Sequence, residues 1–503
     1  MSVIKVENLT FSYDTSYDKI FDNVSFQIDT NWKLGFVGRN GRGKTTFLNL
    51  LLGKYEYQGR ILSSVKFDYF PYEVKDKNLR MEEVLKEVCP AAEAWEFMRE
   101  LSYLSMDEDV LEKPFCLLSQ GEQTKALLAA LFLNEGHFLL IDEPTNHLDM
   151  GARELVSAYL KRKRGFILVS HDRAFLDGCT DHILSLNKTG IEVQSGNFSS
   201  WLENFENRQR FEEAENARLQ RDIRRLEKAA ERASGWSEKT EASKYGNGPV
   251  DRGYVGHKAA KMMKRSKIIE TRTKRAAEEK AKLLKNRESA ENLKLLPLEY
   301  THDTLASFSE VVVYYDRKPV CCPVSFRIQK GDRIVFDGKN GSGKSSLLKL
   351  LAGEEKTYTG TVNREKNLRI SYVPQDTSWL RGNLRDFAEE NQIEESLFKA
   401  LLRKLDFDRM QFDKDMSEFS SGQKKKVLLA KSLCEQAHLY VWDEPLNFVD
   451  LYSRIQIEAL IKEYKPTMVL VEHDKAFREE IGTKHIIIKR RQNEYRRKMQ
   501  VSE

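Results

Sequence analysis

The 503-residue chain has no run of about 18 apolar residues, so no segment reads as a helix long enough to cross a bilayer. Its first residues, MSVIKVENLTFSY, lack the basic and then apolar order of a secretory signal and read directly as a strand. The six cysteines, Cys89, Cys116, Cys179, Cys321, Cys322 and Cys434, form no CxxC pair and have no His-rich spacing, which argues against disulfides and metal sites and for reduced thiols. These absences set the expectation of a soluble, cytoplasmic protein with no membrane partner. Charge is plentiful instead: 32% of residues are charged, and the net charge of +5 hides an uneven distribution. A chain of this length should hold two or more domains, each with its own core.

Two halves of the sequence repeat each other. GRNGRGKT (38–45) follows the apolar run LGFV and precedes an apolar helical pattern, which is the strand, loop and helix context of a P-loop. In such a loop Gly38, Gly41 and Gly43 let backbone N–H groups turn onto phosphate oxygens, with Asn40 and Thr46 beside them. Lys44 neutralises the β and γ phosphates of ATP, and Thr45 offers a hydroxyl to Mg2+. The run FLLI ends in Asp142 and Glu143, a second magnesium-directed carboxylate followed by one placed to orient or deprotonate the attacking water. Two acids at a strand end are costly to bury without a purpose. FILVS then delivers His171 at another strand end, where an imidazole can contact the γ phosphate.

About 300 residues later the set returns. GKNGSGKS (338–345) supplies Gly338, Asn340, Gly341, Gly343, Lys344 and Ser345, followed by Ser346; SYVPQD supplies Gln375, WDEP Asp443 and Glu444, and EHD His473. The nearly constant offset is what duplication of one domain produces.

LSQGEQ (118–123) and IDEPTNHLD (141–149) resemble the signature, Walker B and D-loop of an ATP-binding cassette. The resemblance implies an α/β fold of two tandem cassettes, with Tyr13 and the corresponding Tyr315 stacked on adenine. It also implies that Ser119 and Gly121, and their counterparts Ser420 and Gly422, contact the γ phosphate of a nucleotide held by the other half. ATP would then join the halves as an intramolecular dimer within a monomer. The second signature departs to FSSGQ, Phe448 stands where His147 does, and Tyr72 occupies the place of Gln375. A phenol cannot give Mg2+ the amide oxygen, so the first site is expected to be impaired and the second to keep a full set.

The stretch between the halves carries no such motif. Leu219, Ile223, Leu226, Ala230 and Ala233 step by four and three residues, and Met262, Ile269, Ala276, Leu283 and Ala290 recur every seventh. Gly246, Gly248, Pro249 and Gly253 interrupt them. The simplest reading is an antiparallel α-helical hairpin whose arms, about 30 to 40 residues each, carry an irregular tip on the order of 50 Å away. Residues 239–275 hold eleven Lys or Arg against three acids, denser than a solvated spacer requires and suited to phosphate. Lys258, Lys261, Lys264, Arg265 and Lys267 are the expected RNA-facing residues. The linker also lacks cysteine, which argues against the zinc hook of DNA-repair ATPases with coiled coils.

Two cassettes, no membrane span and a linker of about 80 to 90 residues resemble the ABC-F family of ribosome-associated ATPases. Neither half has room for a large insertion between its P-loop lysine and its signature serine, about 75 residues apart, and the tip is long. These features, with GRNGRGKTT, GHKAAKMMKRSK and a short C-terminus, are similar to the antibiotic-resistance branch of that family, the Lsa type. The resemblance implies an ATPase that binds the E-site region of the 70S ribosome, contacts 23S rRNA and P-site tRNA, and reaches the peptidyl transferase centre. Lincosamides, pleuromutilins and streptogramin A are the drugs it would dislodge. A housekeeping translation factor and the energising subunit of a transporter are the competing readings. The expected tip residues are Tyr254 with Val255, then Lys244 with Tyr245. Expected boundaries are 1–198 for the first cassette, 199–294 for the linker with its tip at 237–257, 295–490 for the second cassette and 491–503 for a basic tail.

Overall fold

Continuous apolar runs become central strands. LGFV, FLLI and FILV lie in Lys33–Gly38, His137–Asp142 and Phe166–Val169, and LYVW and MVLV in Leu439–Asp443 and Met468–Val471, with almost every side chain buried. A strand covered on both faces has no use for alternation, and a parallel sheet provides that environment. The computed structural model describes residues 2–13, 19–187, 190–242, 297–315, 318–354, 356–405 and 411–491, together with Leu295, Phe407 and separate positions between 261 and 275.

In the first half the strand order is Lys66–Phe70, His137–Asp142, Phe166–Val169, Lys33–Gly38, His182–Asn187 and Gly190–Ser195, parallel except for the last pair. The second half repeats it as Ile370–Val373, Leu439–Asp443, Met468–Val471, Arg333–Asp337 and Lys484–Ile487, parallel throughout. A second, antiparallel sheet accompanies each. Val3–Phe11 lies between Phe21–Asp29 and Gln58–Leu62, and Thr304–Tyr315 between Val324–Gln329 and Thr357–Arg364. Val324–Gln329 alternates buried and exposed at every residue, the mark of one face on the core. The side chains of Phe36, Phe47, Leu140 and Ile167 join the two sheets of the first half into one core, and Phe336, Leu347, Val441 and Val469 do so in the second. The α/β class with two tandem cassettes is therefore the observed fold.

The cassettes touch directly. Arg173 meets Glu458 at 2.6 Å with both side chains nearly buried, Arg478 Nη1 approaches Met150 Sδ at 3.0 Å, and Asn40 Nδ2 donates to the Phe448 carbonyl at 2.9 Å.

Met1–Ser199 with Ala290–Glu503 makes one compact unit and Ser200–Ser289 another. The linker's first arm is the helix Phe198–Ala242, 45 residues long, or about 67 Å at 1.5 Å per residue. It is longer than the arms expected from sequence and continues to residue 242, past the start of the expected tip at 237. SEKTEA contains helix formers and no breaker, and the first breaker after it is Gly246. Leu219, Ile223 and Leu226 are half-buried whereas Arg218, Gln220, Arg221, Arg224 and Arg225 are exposed, so the stepped apolar pattern does mark one face. Lys261, Lys264 and Lys267 are helical and exposed. Lys244, Tyr245, Tyr254, Val255, Lys258, Arg265, the heptad residues Met262, Ile269, Ala276, Leu283 and Ala290, and the tail 492–503 lie outside the described residues.

Candidate functional site

The site gathers at the C-terminal ends of the parallel strands, where an open α/β sheet leaves backbone groups unpaired and side chains convergent. Lys33–Gly38 runs into the glycine loop and the helix Lys44–Leu51 starts at its end, so the unpaired N–H groups of a helix N-terminus face the loop. Gly43 has φ +100°, and a Cβ there would stand 2.5 Å from Ile20 Cγ2, which explains why only glycine fits. Lys44 is buried and its ammonium donates to the carbonyls of Gly38 at 2.6 Å and Arg39 at 3.1 Å. Lys344 makes the same bonds to Gly338 and Lys339, at 2.8 and 3.1 Å.

Thr45 Oγ1 donates to Asp142 Oδ2 at 2.9 Å, and Ser345 Oγ to Asp443 Oδ1 at 3.2 Å. Each expected magnesium pair is thus in contact, a hydroxyl with a carboxylate, and all-oxygen donors of this kind fit Mg2+. Asp443 Oδ2 is buried with no hydrogen-bond partner, which leaves an acceptor free for a cation. Burial pushes the Asp443 carboxyl up to about 6. Burial also raises Asp142, against the hydrogen bonds it accepts from Thr45 and Tyr69.

The two glutamates share a backbone and differ in surroundings. Glu143 has φ +50° and Glu444 φ +47°, in the left-handed region that side chains rarely adopt. Glu143 Oε1 is buried without a hydrogen bond, and desolvation, then Asp142, pushes its carboxyl up to about 8. The nearby His171 Nε2, at 3.3 Å, has its hydrogen bond with Asn40 Oδ1 instead, at 3.1 Å. Burial, with Lys44 and Arg454, holds His171 well below its ordinary value and therefore neutral. Glu444 Oε2 accepts from Gln375 Nε2 at 2.9 Å and Asn447 Nδ2 at 2.5 Å, with His473 Nε2 at 3.4 Å from Oε1. Burial works to raise Glu444, but the bonds from His473 and Gln375 outweigh it and hold the carboxyl below its usual range.

A carboxyl whose folded pKa is raised favours the folded chain below its ordinary value of 4.5, and that contribution is lost as pH rises through about 8. Glu143→Gln is therefore expected to leave the thermal midpoint of the nucleotide-free protein unchanged near pH 5 and to raise it near pH 9. A midpoint difference that does not grow with pH would count against this placement of Glu143.

Both cavities are built by both cassettes. One, about 790 Å3, lies between Asn40, Gly41 and Glu143 of the first half and Ser420, Gly422 and Gln423 of the second. The other, about 500 Å3, lies between Gly343, Ser345 and Glu444 of the second half and Gln120, Asn146 and Leu148 of the first. Each is of a size that holds a nucleotide. In the second cavity the signature presents Gln120, the residue between Ser119 and Gly121, as wall. Ser119 and Ser420 cap the helices Gln120–Leu131 and Ser421–Cys434 by accepting from the N–H groups of Glu122 and Gln423.

Tyr13 and Tyr315 stand beside their P-loop helices with partly exposed rings. Their hydroxyls bond Thr46 Oγ1 at 2.8 Å and Ser346 Oγ at 3.2 Å. Tyr55, edge-on to Tyr13 at 5.7 Å, and Lys356, 5.8 Å from the Tyr315 ring centre, join these platforms and had no motif to reveal them. The sequence reading also missed Tyr69. Its phenol, rather than that of Tyr72, donates to Asp142 Oδ2 at 3.1 Å. Its counterpart Tyr372 has a buried hydroxyl with no hydrogen-bond partner.

Two phosphate loops, paired strand-end acids and signature helices that close each other's cavities define a tandem P-loop ATPase. The family described as ABC transporter matches residues 21–146 and 321–447, and the chain belongs to that family. It is 29% identical over 488 residues to the ribosome protection protein VmlR of Bacillus subtilis (strain 168), covering 95% of this chain and 85% of that protein. It is 27% identical over 488 residues to the ATP-binding protein Uup of Caulobacter vibrioides, covering 93% and 74%. Among solved structures, archaeal ribosome recycling factor aABCE1, in its complex with ribosomal stalk protein aP1, shares the fold with a TM-score of 0.62 at 19% identity, over 95% of this chain and 87% of that one. Among the described residues no helix is long and apolar enough to cross a membrane.

Proposed function

We propose that the chain is a cytoplasmic ABC-F ATPase that binds the E-site region of the 70S ribosome and protects it from large-subunit antibiotics, in the manner of the Lsa type. The carrying observation is the similarity to VmlR along 95% of the chain, linker included. The 45-residue helix between the cassettes supports it, since neither ATP cavity needs so long an arm. Thr45 with Asp142, and Ser345 with Asp443 and Gln375, would hold Mg2+, which when bound supplies positive charge to the phosphates. Lys44 and Lys344 bind the β and γ phosphates, Tyr13 and Tyr315 take the base, and Ser420 with Gly422 and Ser119 with Gly121 close on the γ phosphate from the opposite cassette. Glu444, and less effectively Glu143, takes the proton of the attacking water, with His473 and His171 beside it. Closure fixes the direction of the linker, and nucleotide state thereby admits or withdraws its tip.

The lysines at 258, 261, 264 and 267, with Arg265, face phosphate of 23S rRNA, and Lys244 reaches P-site tRNA or rRNA. Ribosome affinity is accordingly expected to fall steeply between 50 and 200 mM salt, by about 10³-fold or more if six or more phosphates are neutralised. Co-sedimentation with ribosomes over that range tests it, and a flat response would remove the RNA reading and favour a solvated spacer. Tyr254, backed by Val255, is the side chain proposed to displace drug or base at the peptidyl transferase centre, with Tyr245 second. Tyr254→Ala is expected to abolish drug tolerance in cells while ATP turnover of the purified chain stays nearly unchanged, because Tyr254 belongs to none of the ATP-binding motifs. Unchanged tolerance in that variant would exclude Tyr254. Unchanged tolerance on deleting the whole protein would move the reading to a housekeeping translation factor.

A further inference from the structure

The helix Ser421–Cys434 faces two places. Its capped N-terminus, through Ser420 and Gly422, walls the cavity built on the first P-loop. Lys425, one turn on, belongs to the other site. It is 3% exposed, and its ammonium donates to the Pro374 carbonyl at 2.8 Å and the Asp443 carbonyl at 3.2 Å. Pro374 precedes Gln375 and Asp443 precedes Glu444, so one cation ties together the two backbone segments that carry the polar set of the second site. That set is itself joined, by Gln375 Nε2 on Glu444 Oε2. The next residue, Lys426, pairs with Asp450 at 2.7 Å, with both side chains buried. The turn is thereby held on both sides.

Among the described residues the first cassette has no such tie. Thr124 occupies the corresponding position, five residues after its signature serine, and is also buried. A threonine carries neither the charge nor the reach to bridge two backbone segments.

We infer that Lys425 is a positioning residue that couples occupancy of the first ATP site to the metal-binding and water-activating set of the second, and that Thr124 leaves the opposite route without this link. The inference rests on the reading that both cavities bind Mg-ATP. A γ phosphate seated against Ser420 and Gly422 fixes the start of the helix, and the helix carries Lys425 and with it Pro374 and Asp443. Coupling of this kind is reciprocal for binding: removing the tie changes the affinity of each site for its own ligand in response to the other.

The test uses the full chain and a fluorescent ATP analogue titrated with Mg2+, following the binding phase that Lys344→Ala abolishes. Lys425→Thr, which installs the residue the first cassette already accommodates, is expected to raise the half-saturating Mg2+ about tenfold, the scale of losing a hydrogen bond from a charged donor. Ser420→Ala, although it lies in the other site, should raise it in the same direction. The double variant should be no worse than Lys425→Thr alone, and Lys425→Arg should recover most of the effect. Additive effects of the two substitutions, or an unchanged Mg2+ requirement in Lys425→Thr, would overturn the coupling. If Lys425→Thr does not fold, Lys425→Gln carries the same measurement and the same outcomes. A wild-type chain that bound no analogue would instead remove the ATP reading on which the inference stands.

Discussion

Glu444→Gln is expected to lower ATP turnover by about 10²- to 10⁴-fold, the contribution of a positioned general base, while ATP stays bound. The amide keeps the volume and the contacts with Asn447 and His473 but cannot take a proton from water. Glu143→Gln should do less. Glu444 is held ionised by Gln375 and His473, whereas Glu143 lies without a hydrogen bond on Oε1 and is pushed up to about 8 by desolvation. At neutral pH a base that is already protonated has little to lose. Nor does the first site possess the amide that Gln375 supplies, since Tyr72 occupies that place in the chain. Steady-state ATPase rates of the two single variants decide the matter, and an equal loss, or a larger one from Glu143→Gln, would count against unequal sites. The double variant should retain ATP, hold the cassettes closed and remain on ribosomes through sedimentation; normal turnover in it would show that neither glutamate is the base.

The second large effect is on stability. Asp450 caps the helix Leu451–Tyr464, accepting from Ser453 N at 3.0 Å and Ser453 Oγ at 2.9 Å, and pairs with Lys426 at 2.7 Å in a fully buried place. Asp450→Ala leaves the Lys426 ammonium buried beside a cavity. Breaking such a pair from one side costs about 3–5 kcal/mol, and the cap adds about 1 kcal/mol. Urea unfolding should show a midpoint lowered accordingly. Replacing both partners, as Asp450→Leu with Lys426→Met, should recover a large part, because the desolvation penalty of the lone charge disappears. The pH dependence follows from the same pair. Burial works to raise Asp450, but Lys426 and Ser453 outweigh it and hold the carboxyl well below its ordinary value of 3.8. A depressed carboxyl stabilises the fold above its ordinary pKa and loses that contribution as pH falls through the folded value. The difference between wild type and Asp450→Ala should accordingly be constant above about pH 5 and shrink in strong acid. A difference that stays constant down to pH 2 would contradict the pairing.

The sequence alone determined what depends on local spacing. A P-loop needs glycines where φ is positive and a lysine at the helix start, and both copies are readable because eight contiguous residues contain the whole device. Apolar runs such as FLLI and FILV marked strands that deliver Asp142, Glu143 and His171 at their ends, and Leu219, Ile223 and Leu226 declared a helix face through their steps. Only the tertiary structure decided what depends on residues far apart in the chain. Asn40 meets the Phe448 carbonyl across 408 positions, and Arg173 meets Glu458 across 285. Tyr69, rather than Tyr72, turns its hydroxyl to Asp142 because it lies in the strand Lys66–Phe70, paired in parallel with His137–Asp142, whereas Tyr72 lies beyond that strand's end. Glu143 and Glu444 stand in the same motif, yet one is desolvated and the other held ionised. Charge state follows from burial and from the partners that packing brings within about 3 Å, and no pattern along one chain segment encodes either.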